Sequence, residues 1–260
     1  MKRLSNIFCA FLTGALFSAC SPEQPSSPRQ PALQAPDPPP LLHPSAMTIL
    51  CLGDSLTEGS GLDRSQAFPA RLQEKIDALD WKFRVINAGL GGDTTAAALR
   101  RLDWFLQRRI DVLILALGGN DGLRGLPLAQ IRKNLGAIIS KTSARYPEVT
   151  VVVAGIQIPP NYGTRYVREF RDLFPEVAAK HGALLIPFLL EGVGGRPELN
   201  FPDGIHPNGR GQQIVAENVW TVIEPVLRKL HREAKNATSS RLHPWQPPAF
   251  PTRRIGCGRG

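Results

Sequence analysis

Four short segments carry the residue types that acyl transfer needs: a nucleophile, a base, a group that orients the base, and donors that stabilise an oxyanion. The segments read "GDSL", "LGGD", "GGND" and "DGIH". They contain Ser55, Gly92, Asn120 and the pair Asp203 and His206. If the fold brings these segments together, their residue types complete a single mechanism.

Each residue also has a simpler structural explanation. Ser55 precedes Glu58 by three positions, which is the spacing of a helix capping box. Gly92 could only permit a tight turn, and Asn120 opens the turn sequence Asn-Asp-Gly. Asp203 could belong to a turn that caps the last helix. These explanations are sufficient one by one, but together they do not explain why the set is complete.

The base can be identified by elimination among five histidines. His43 lies in a proline-rich segment and His243 near the C-terminus. His231 ends the last predicted helix, and His181 precedes a predicted strand at the wrong end of the sheet. Only His206 lies in a loop at the predicted carboxyl edge, where Asp203 can reach its ring and fix the tautomer.

Short apolar runs alternate with helical patterns from Met47 onward. The runs predict strands at 47–52, 83–88, 111–117, 149–156 and 183–188. The helical patterns cover 68–79, 94–108, 128–144, 164–180 and 208–232, and Pro225 is expected to bend or divide the last helix. Five nearly continuous apolar strands alternating with helices indicate a parallel α/β sheet covered on both faces. Ligands of such sheets bind beyond the carboxyl ends of the strands, where the four segments lie.

The four segments, in this order, resemble the conserved blocks of the SGNH hydrolases, also called GDSL esterases/lipases. "LGGNDGLRG", "NYGTRY" and "DGIHPN" are similar to the bacterial thioesterase I/lysophospholipase branch. The resemblance spans about 47–230. It implies a three-layer α/β/α flavodoxin-like fold with a five-stranded parallel sheet and a triad of Ser55, Asp203 and His206. It also implies an oxyanion hole formed by the backbone N–H groups of Ser55 and Gly92 and the side-chain amide of Asn120.

We therefore expect a serine hydrolase that cleaves carboxylic esters or thioesters, of arylesterase, acyl-CoA thioesterase or lysophospholipase type. No cofactor or metal is expected, because the cysteines are scattered and a lone Asp/His pair is a poor zinc site. One alternative is a non-catalytic protein on a flavodoxin-like fold that binds a phosphate-bearing ligand, but the chain lacks both glycine-rich phosphate motifs. Another is an adhesion or envelope-binding module, which the complete set of catalytic residue types disfavours. The loop 156–166 either flanks an acyl pocket or packs on the fold.

The first twenty residues resemble a bacterial lipoprotein signal. Lys2 and Arg3 precede a short apolar run, and Cys20 follows small residues, although Phe17 stands where such signals usually carry Leu. Ordinary secretion or an uncleaved anchor are the alternatives. Residues 21–46 contain nine prolines and form a predicted disordered tether. At ~3.1 Å per residue, this tether could reach about 80 Å.

The organisation predicted is a signal at 1–20, the tether at 21–46, a hydrolase domain at 47–235 and a disordered tail at 236–260. The net charge is +9, but residues 47–235 hold 24 Lys and Arg against 20 Asp and Glu, which gives +4. Nucleic-acid binding is therefore not expected. We expect an exported monomer in the periplasm or cell envelope, anchored to a bacterial membrane through lipidated Cys20, with a small acyl ester or thioester as substrate. Cys51 should be a buried thiol, and nothing brings Cys257 to it for a disulfide.

Overall fold

A five-stranded parallel sheet forms the centre of the molecule. The computed structural model describes the backbone of residues 46–241 and the side chains of residues 46–237. The strand order is β2-β1-β3-β4-β5, and every neighbouring pair is parallel. The strands are β1 (Met47–Gly53), β2 (Phe83–Gly89), β3 (Val112–Ala116), β4 (Thr150–Ala154) and β5 (Leu184–Ile186). This architecture confirms the predicted α/β fold.

Helices cover the sheet in two groups, since α2 packs against α7, whereas α5 packs against both α3 and α6. The helices are α1 (Ser55–Glu58), α2 (Phe68–Ala78), α3 (Thr95–Phe105), α4 (Gly119–Leu123), α5 (Leu128–Arg145), α6 (Thr164–His181) and α7 (Gly209–Arg241). Two of these, α1 and α4, are short helices where the sequence pattern predicts loops. No helix within residues 46–241 combines the length and the apolar character that crossing a bilayer requires.

The strand register aligns the carboxyl ends of the three strands that matter for the site. Gly53 of β1 pairs with Gly89 of β2 on one side and with Ala116 of β3 on the other. After β1 the chain forms β2 on one side of it and then crosses to form β3 on the other side. A crevice forms at such a switch in strand order, and the loops after β1, β2 and β3 open into it.

The core is continuous and largely aliphatic around the sheet, and it includes three fully buried phenylalanine side chains. All of β3 is buried, as are Phe68, Phe170 and Phe174. Cys51 of β1 is a buried free thiol, and burial raises its pKa, so it remains a protonated and unreactive core residue.

The last helix differs from prediction in two respects. Pro225 lies inside it without dividing it, because Ile223 and Leu227 on either side are fully buried and hold both halves on the core, and a bend at Pro225 stays a prediction. The helix also continues to Arg241, six residues into the predicted tail. The predictions for the signal at 1–20, Cys20, Cys257 and residues 242–260 concern residues outside those described, as does the predicted tether apart from its last residue.

Candidate active site

Ser55 is the first residue of α1 and is separated from the end of β1 only by Asp54. The short helix lies against the ends of β1 and β2, because both strands end in glycine. A Cβ at Gly53 would lie 1.9 Å from Thr57 Oγ1, and one at Gly89 would lie 2.1 Å from the backbone nitrogen of Glu58. These close approaches determine how far Ser55 stands above the sheet edge.

The cap of α1 is Asp54, not Ser55. The Asp54 carboxylate accepts a hydrogen bond from the Leu56 N–H at 3.0 Å. The capping box proposed for Ser55 and Glu58 is therefore not used. The Ser55 hydroxyl instead lies 2.9 Å from Nε2 of His206.

Asp203 and His206 are joined within one turn. Asp203 Oδ2 lies 2.8 Å from His206 Nδ1, while Oδ1 accepts the backbone N–H groups of Ile205 at 2.9 Å and of His206 at 3.0 Å. The hydrogen bonds from the backbone and the ring of His206, with that from Ile205, lower the pKa of Asp203 from 3.8 to about 2. Asp203 is therefore ionised at neutral pH and faces the ring that faces Ser55.

The segment that carries His206 is tied to the segment that carries Ser55 by a buried glutamine. Gln212, in the first turn of α7, accepts the Phe68 N–H at 2.8 Å and donates to the Leu56 carbonyl at 3.1 Å. It thus joins α7 to α2 and α1. The sequence interpretation missed this residue, although a Gln on the apolar face that continues through Val215 and Val219 was an available signal.

Gly92 lies in the loop after β2, and Asn120 lies in α4, the short helix after β3. Asp93, the neighbour of Gly92, connects the two segments. Gly92 has φ +76°, and a Cβ there would meet nothing within 4 Å, so the backbone conformation rather than crowding favours glycine. The Asn120 Nδ2 group donates to the backbone carbonyl of Asp93 at 3.0 Å. The loop that holds Gly92 is therefore attached to the helix that holds Asn120.

The turn alternative for Asn120 does not describe its segment, which is the short helix α4. The neighbouring carboxylate of Asp121 is buried and accepts the backbone N–H of Thr95 at 2.9 Å and its hydroxyl at 2.6 Å. Asn134 of α5 donates to the same hydroxyl at 2.9 Å. This buried network, which the sequence did not reveal, fixes α4 to α3 and α5.

Asp54 has an unusual protonation equilibrium for a residue adjacent to the nucleophile. Burial raises its pKa from 3.8 to about 7, although the Leu56 N–H and the nearby His206 oppose the shift. The charge on Asp93 raises it further. The carboxyl group next to Ser55 therefore exchanges its proton near neutral pH.

The loop 156–166 packs against the segment that follows Asn120. The hydroxyl of Tyr162 donates to the Leu123 carbonyl at 2.9 Å, and that of Tyr166 donates to the Leu126 carbonyl at 2.8 Å. Ile158 is buried in the core. These contacts favour the packing alternative for these three side chains. Within residues 46–237, no group of three or more His, Cys, Asp or Glu side chains is arranged to hold a metal ion.

Comparison with known proteins gives consistent matches over the folded region. A model of the GDSL-like Lipase/Acylhydrolase family matches residues 51–214. The chain is 42% identical over 184 residues to Esterase TesA of Pseudomonas aeruginosa, covering 70% of this chain and 90% of that protein. It is 36% identical over 184 residues to Thioesterase 1/protease 1/lysophospholipase L1 of Escherichia coli K12, covering 70% of this chain and 86% of that protein. A crystal structure of TesA superposes with a TM-score of 0.66 at 42% identity, covering 69% of this chain and 99% of that one.

Proposed function

Because the chain belongs to the GDSL-like lipase/acylhydrolase family, we propose that it hydrolyses carboxylic esters or thioesters through Ser55, His206 and Asp203. It is an ester-hydrolysing enzyme, as the names of its esterase and thioesterase/lysophospholipase relatives support. The observation that carries the triad proposal is the unbroken path of contacts, 2.8 Å from Asp203 to His206 and 2.9 Å from His206 to Ser55.

Acylation begins at the Ser55–His206 contact. With its proton on Nδ1 directed at Asp203, the His206 ring has Nε2 free to accept the Ser55 proton as Oγ attacks the carbonyl carbon. The carbonyl oxygen becomes an oxyanion, held by the N–H groups of Ser55 and Gly92 and by the Asn120 amide. When the tetrahedral intermediate collapses, His206 gives its proton to the departing oxygen or sulfur, and the acyl group remains on Ser55.

Deacylation repeats the same proton transfers with water as the nucleophile. His206 removes a proton from water, the hydroxide attacks the acyl-enzyme, and the oxyanion forms again. Collapse then breaks the bond to Oγ, His206 returns the proton to Ser55, and the carboxylic acid leaves. Asp203 stays ionised throughout and stabilises the positive ring, consistent with its pKa of about 2.

The proposed substrate has an apolar acyl group joined to an aryl alcohol, to a thiol or, as in a lysophospholipid, to a glycerophosphate headgroup. Two aliphatic side chains beside the catalytic segments support this assignment, since Leu90 is 48% exposed and Ile205 is 44% exposed. Leu90 lies two residues before Gly92, and Ile205 lies directly before His206. Aliphatic groups exposed at this position would lose contact with water when an acyl chain binds.

We also propose that the enzyme is exported and anchored in the periplasm or cell envelope through lipid on Cys20. The charge, length and small residues of 1–20 support export, and the proline-rich tether supports an anchored domain rather than a freely secreted one. The three residues of the proposed triad lie far along the chain from Cys20 and make their contacts with one another. Export and catalysis are therefore tested separately.

The deciding experiment compares wild type with Ser55→Ala on p-nitrophenyl esters from acetate to palmitate. We expect Ser55→Ala to lower kcat by more than about 10⁴-fold, because removal of a triad nucleophile leaves only the oxyanion hole and binding. Circular dichroism and Tm should remain those of wild type. Ser140→Ala, an exposed serine on α5, is the matched control and should keep full activity. A wild type inactive on the whole series, or a Ser55→Ala variant with most of its activity, contradicts the proposal.

A further inference from the structure

Arg101 reaches from α3 to the carboxyl ends of two strands. Its Nη2 donates to the carbonyl of Gly53 at 3.1 Å and to the carbonyl of Ala88 at 2.8 Å. Its Nε donates to the Asp93 carboxylate at 2.6 Å. One guanidinium group therefore binds the end of β1, the end of β2 and the loop that follows β2.

Each of these contacts lies close to a donor of the proposed oxyanion hole. Gly53 precedes Ser55 by two residues, so its carbonyl fixes the start of the turn that presents the Ser55 N–H. Asp93 directly follows Gly92, and its backbone carbonyl accepts the Asn120 amide at 3.0 Å. The three donors come from three separate loops, and Arg101 contacts two of these loops directly and the third through Asp93.

The chemistry of the contact suits arginine and not lysine. A guanidinium is planar and donates in several fixed directions, so it can bridge two carbonyls and a carboxylate at once, whereas an ammonium is a compact charge on a flexible stem. The side chains are largely shielded from water, with 23% of Arg101 and 8% of Asp93 exposed. The Arg101 guanidinium also lies over the Phe105 ring, 5.5 Å from its centre, which restricts its movement further.

We propose that Arg101 is a positioning residue that sets the geometry of the oxyanion hole by joining the loops of Ser55, Gly92 and Asn120. This inference rests on the proposed function, because it assigns Arg101 a role in the same reaction. Arg101 touches neither the triad side chains nor a substrate, so it acts only through the groups that it holds. Small errors in such geometry are costly, since a displacement of about 1 Å can lower a rate by roughly 10²-fold.

The first test is Arg101→Lys, which keeps the charge but not the bridging geometry. We expect kcat for p-nitrophenyl butyrate to fall by about 10–100-fold, with KM changed less than about threefold, because transition-state stabilisation is lost and ground-state binding is not. Arg109→Lys is the matched control. Arg109 Nε donates to the buried Asp111 at 2.7 Å, and Asp111 accepts the Thr48 N–H at 2.7 Å, at the amino edge of the sheet. This control should keep kcat.

The second test separates positioning from general structural support. If Arg101 acts through the oxyanion hole, Arg101→Lys should cost much less in an Asn120→Ala background than in wild type, because residues that act as a unit are not additive. Asp93→Asn removes the charge that holds Arg101 but keeps the backbone carbonyl that Asn120 contacts. It should lower kcat in the same way, and it serves as the reporting variant if Arg101→Lys does not fold.

Three outcomes overturn the inference. The first is a kcat of both Arg101→Lys and Asp93→Asn within about threefold of that of Arg109→Lys. The second is a decrease in kcat from Arg101→Lys that is as large in the Asn120→Ala background as in wild type. The third is failure of both variants to fold, which would make the role of Arg101 structural. Full activity of Ser55→Ala is a different result, since it overturns the proposed function itself. The two failures are therefore distinguishable.

Discussion

Asp203 performs two tasks with its two carboxylate oxygens. One oxygen closes the turn by accepting two backbone N–H groups, and the other faces the ring of His206. The same hydrogen bonds lower the pKa of Asp203 from 3.8 to about 2. The stability that they contribute is therefore present above pH 3.8 and is lost as the pH falls through 2. The turn and the orientation of the ring consequently persist together across the neutral range.

Asn120 keeps a side-chain donor for the proposed oxyanion hole. A side-chain amide carries two N–H donors, and the Asp93 carbonyl accounts for one of them. We predict that Asn120→Ala lowers kcat by about 10²–10³-fold, the usual effect of removing one oxyanion donor, with little change in KM. Steady-state kinetics on a p-nitrophenyl ester measures both constants. A raised KM with unchanged kcat would mean that Asn120 serves binding or folding only.

Asp54 makes stability depend on pH in an unusual direction. Its pKa is about 7 in the folded protein against 3.8 as its ordinary value, so between these values the folded state holds more protons than the unfolded state. Raising the pH through this window therefore lowers the free energy of unfolding. Asp54→Asn cannot titrate, yet its amide oxygen can still accept the Leu56 N–H. We predict that from pH 5 to 8 the Tm of wild type falls more steeply than that of Asp54→Asn.

The control for this prediction is Asp63, which caps a turn in the same manner but is exposed to water. Asp63 accepts the Ser65 N–H at 3.1 Å, and its hydrogen bonds to Ser65 lower its pKa. Its titration is therefore complete below pH 5, and Asp63→Asn should show the wild-type slope between pH 5 and 8. Parallel Tm curves for wild type and Asp54→Asn would show that Asp54 does not titrate in this range.

At the scale of elements, the long strands and helices were predictable because they repeat a pattern. β3 is apolar at every position and buried at every position, as expected for an interior parallel strand. The helices α1 and α4 have four and five residues, which is too short for a helical period to emerge. The position of α1 depends on the glycines that end β1 and β2 and on its buried cap Asp54. The position of α4 depends on the buried Asp121, which binds Thr95 of α3. Only the folded chain brings these groups together.

Local sequence predicts some residues of the proposed site, whereas others can be recognised only from partners that are distant in the sequence. The sequence predicts Ser55, His206 and Asp203 as a set because their types and spacing suit one reaction, and the structure places the three side chains in contact. Arg101 and Gln212 were missed because each is a polar residue within a helix, and its partners lie far away in the sequence. Arg101 follows Arg100 directly, and nothing local indicates that one of the two faces the strand ends.

Pro225 gives an element-scale prediction about stability. Pro225 is exposed in the interior of α7, where proline has no N–H for the carbonyl of Thr221 and is about 3 kcal/mol less favourable than alanine. Loss of proline also increases the freedom of the unfolded chain, which offsets about 0.4–1 kcal/mol. We predict that Pro225→Ala raises the free energy of unfolding by about 2 kcal/mol, which corresponds to roughly 4–8 °C in Tm for a domain of this size.

Thermal unfolding and urea denaturation measure this change. The control is Lys229→Ala, one turn later on the same exposed face, because it introduces alanine without restoring a backbone N–H. Its Tm should stay within about 2 °C of wild type, since an exposed substitution of this kind is worth about 0.5 kcal/mol or less. An unchanged or lowered Tm for Pro225→Ala would mean that the ring of Pro225 makes a favourable contact in the native state.

At the scale of the whole molecule, the direction of β1 relates the chain entry to the site. Met47 begins β1 at the amino edge of the sheet, and Ser55 follows its carboxyl end. Seven residues at about 3.3 Å each separate these edges by roughly 20 Å. The chain therefore enters the sheet at the edge opposite the loops of the proposed site.

We predict from this organisation that Cys20 carries the lipid that holds the enzyme on a bacterial membrane. A predicted signal with Lys2, Arg3, a short apolar run and small residues precedes Cys20, and the predicted tether follows it directly. One acyl chain binds membranes only marginally, so stable attachment requires the several chains of a bacterial lipoprotein cysteine. Cys20→Ser should therefore move the protein out of the membrane fraction or halt its processing. The hydrolytic rate of the folded domain should not change, because residues 46–241 contain the entire proposed site.

Metabolic labelling with a fatty acid measures this prediction directly. Wild type should incorporate label and sediment with membranes, Cys20→Ser should do neither, and Ser21→Ala should behave as wild type because it keeps the cysteine. Ser55→Ala should also remain labelled and membrane-bound while losing hydrolysis, which separates the anchor from the chemistry. Phe17 adds a graded expectation, since Phe17→Leu restores the residue usual for such signals and should speed processing. A wild-type chain that takes up no label and fractionates as soluble would show that Cys20 is not a lipid anchor.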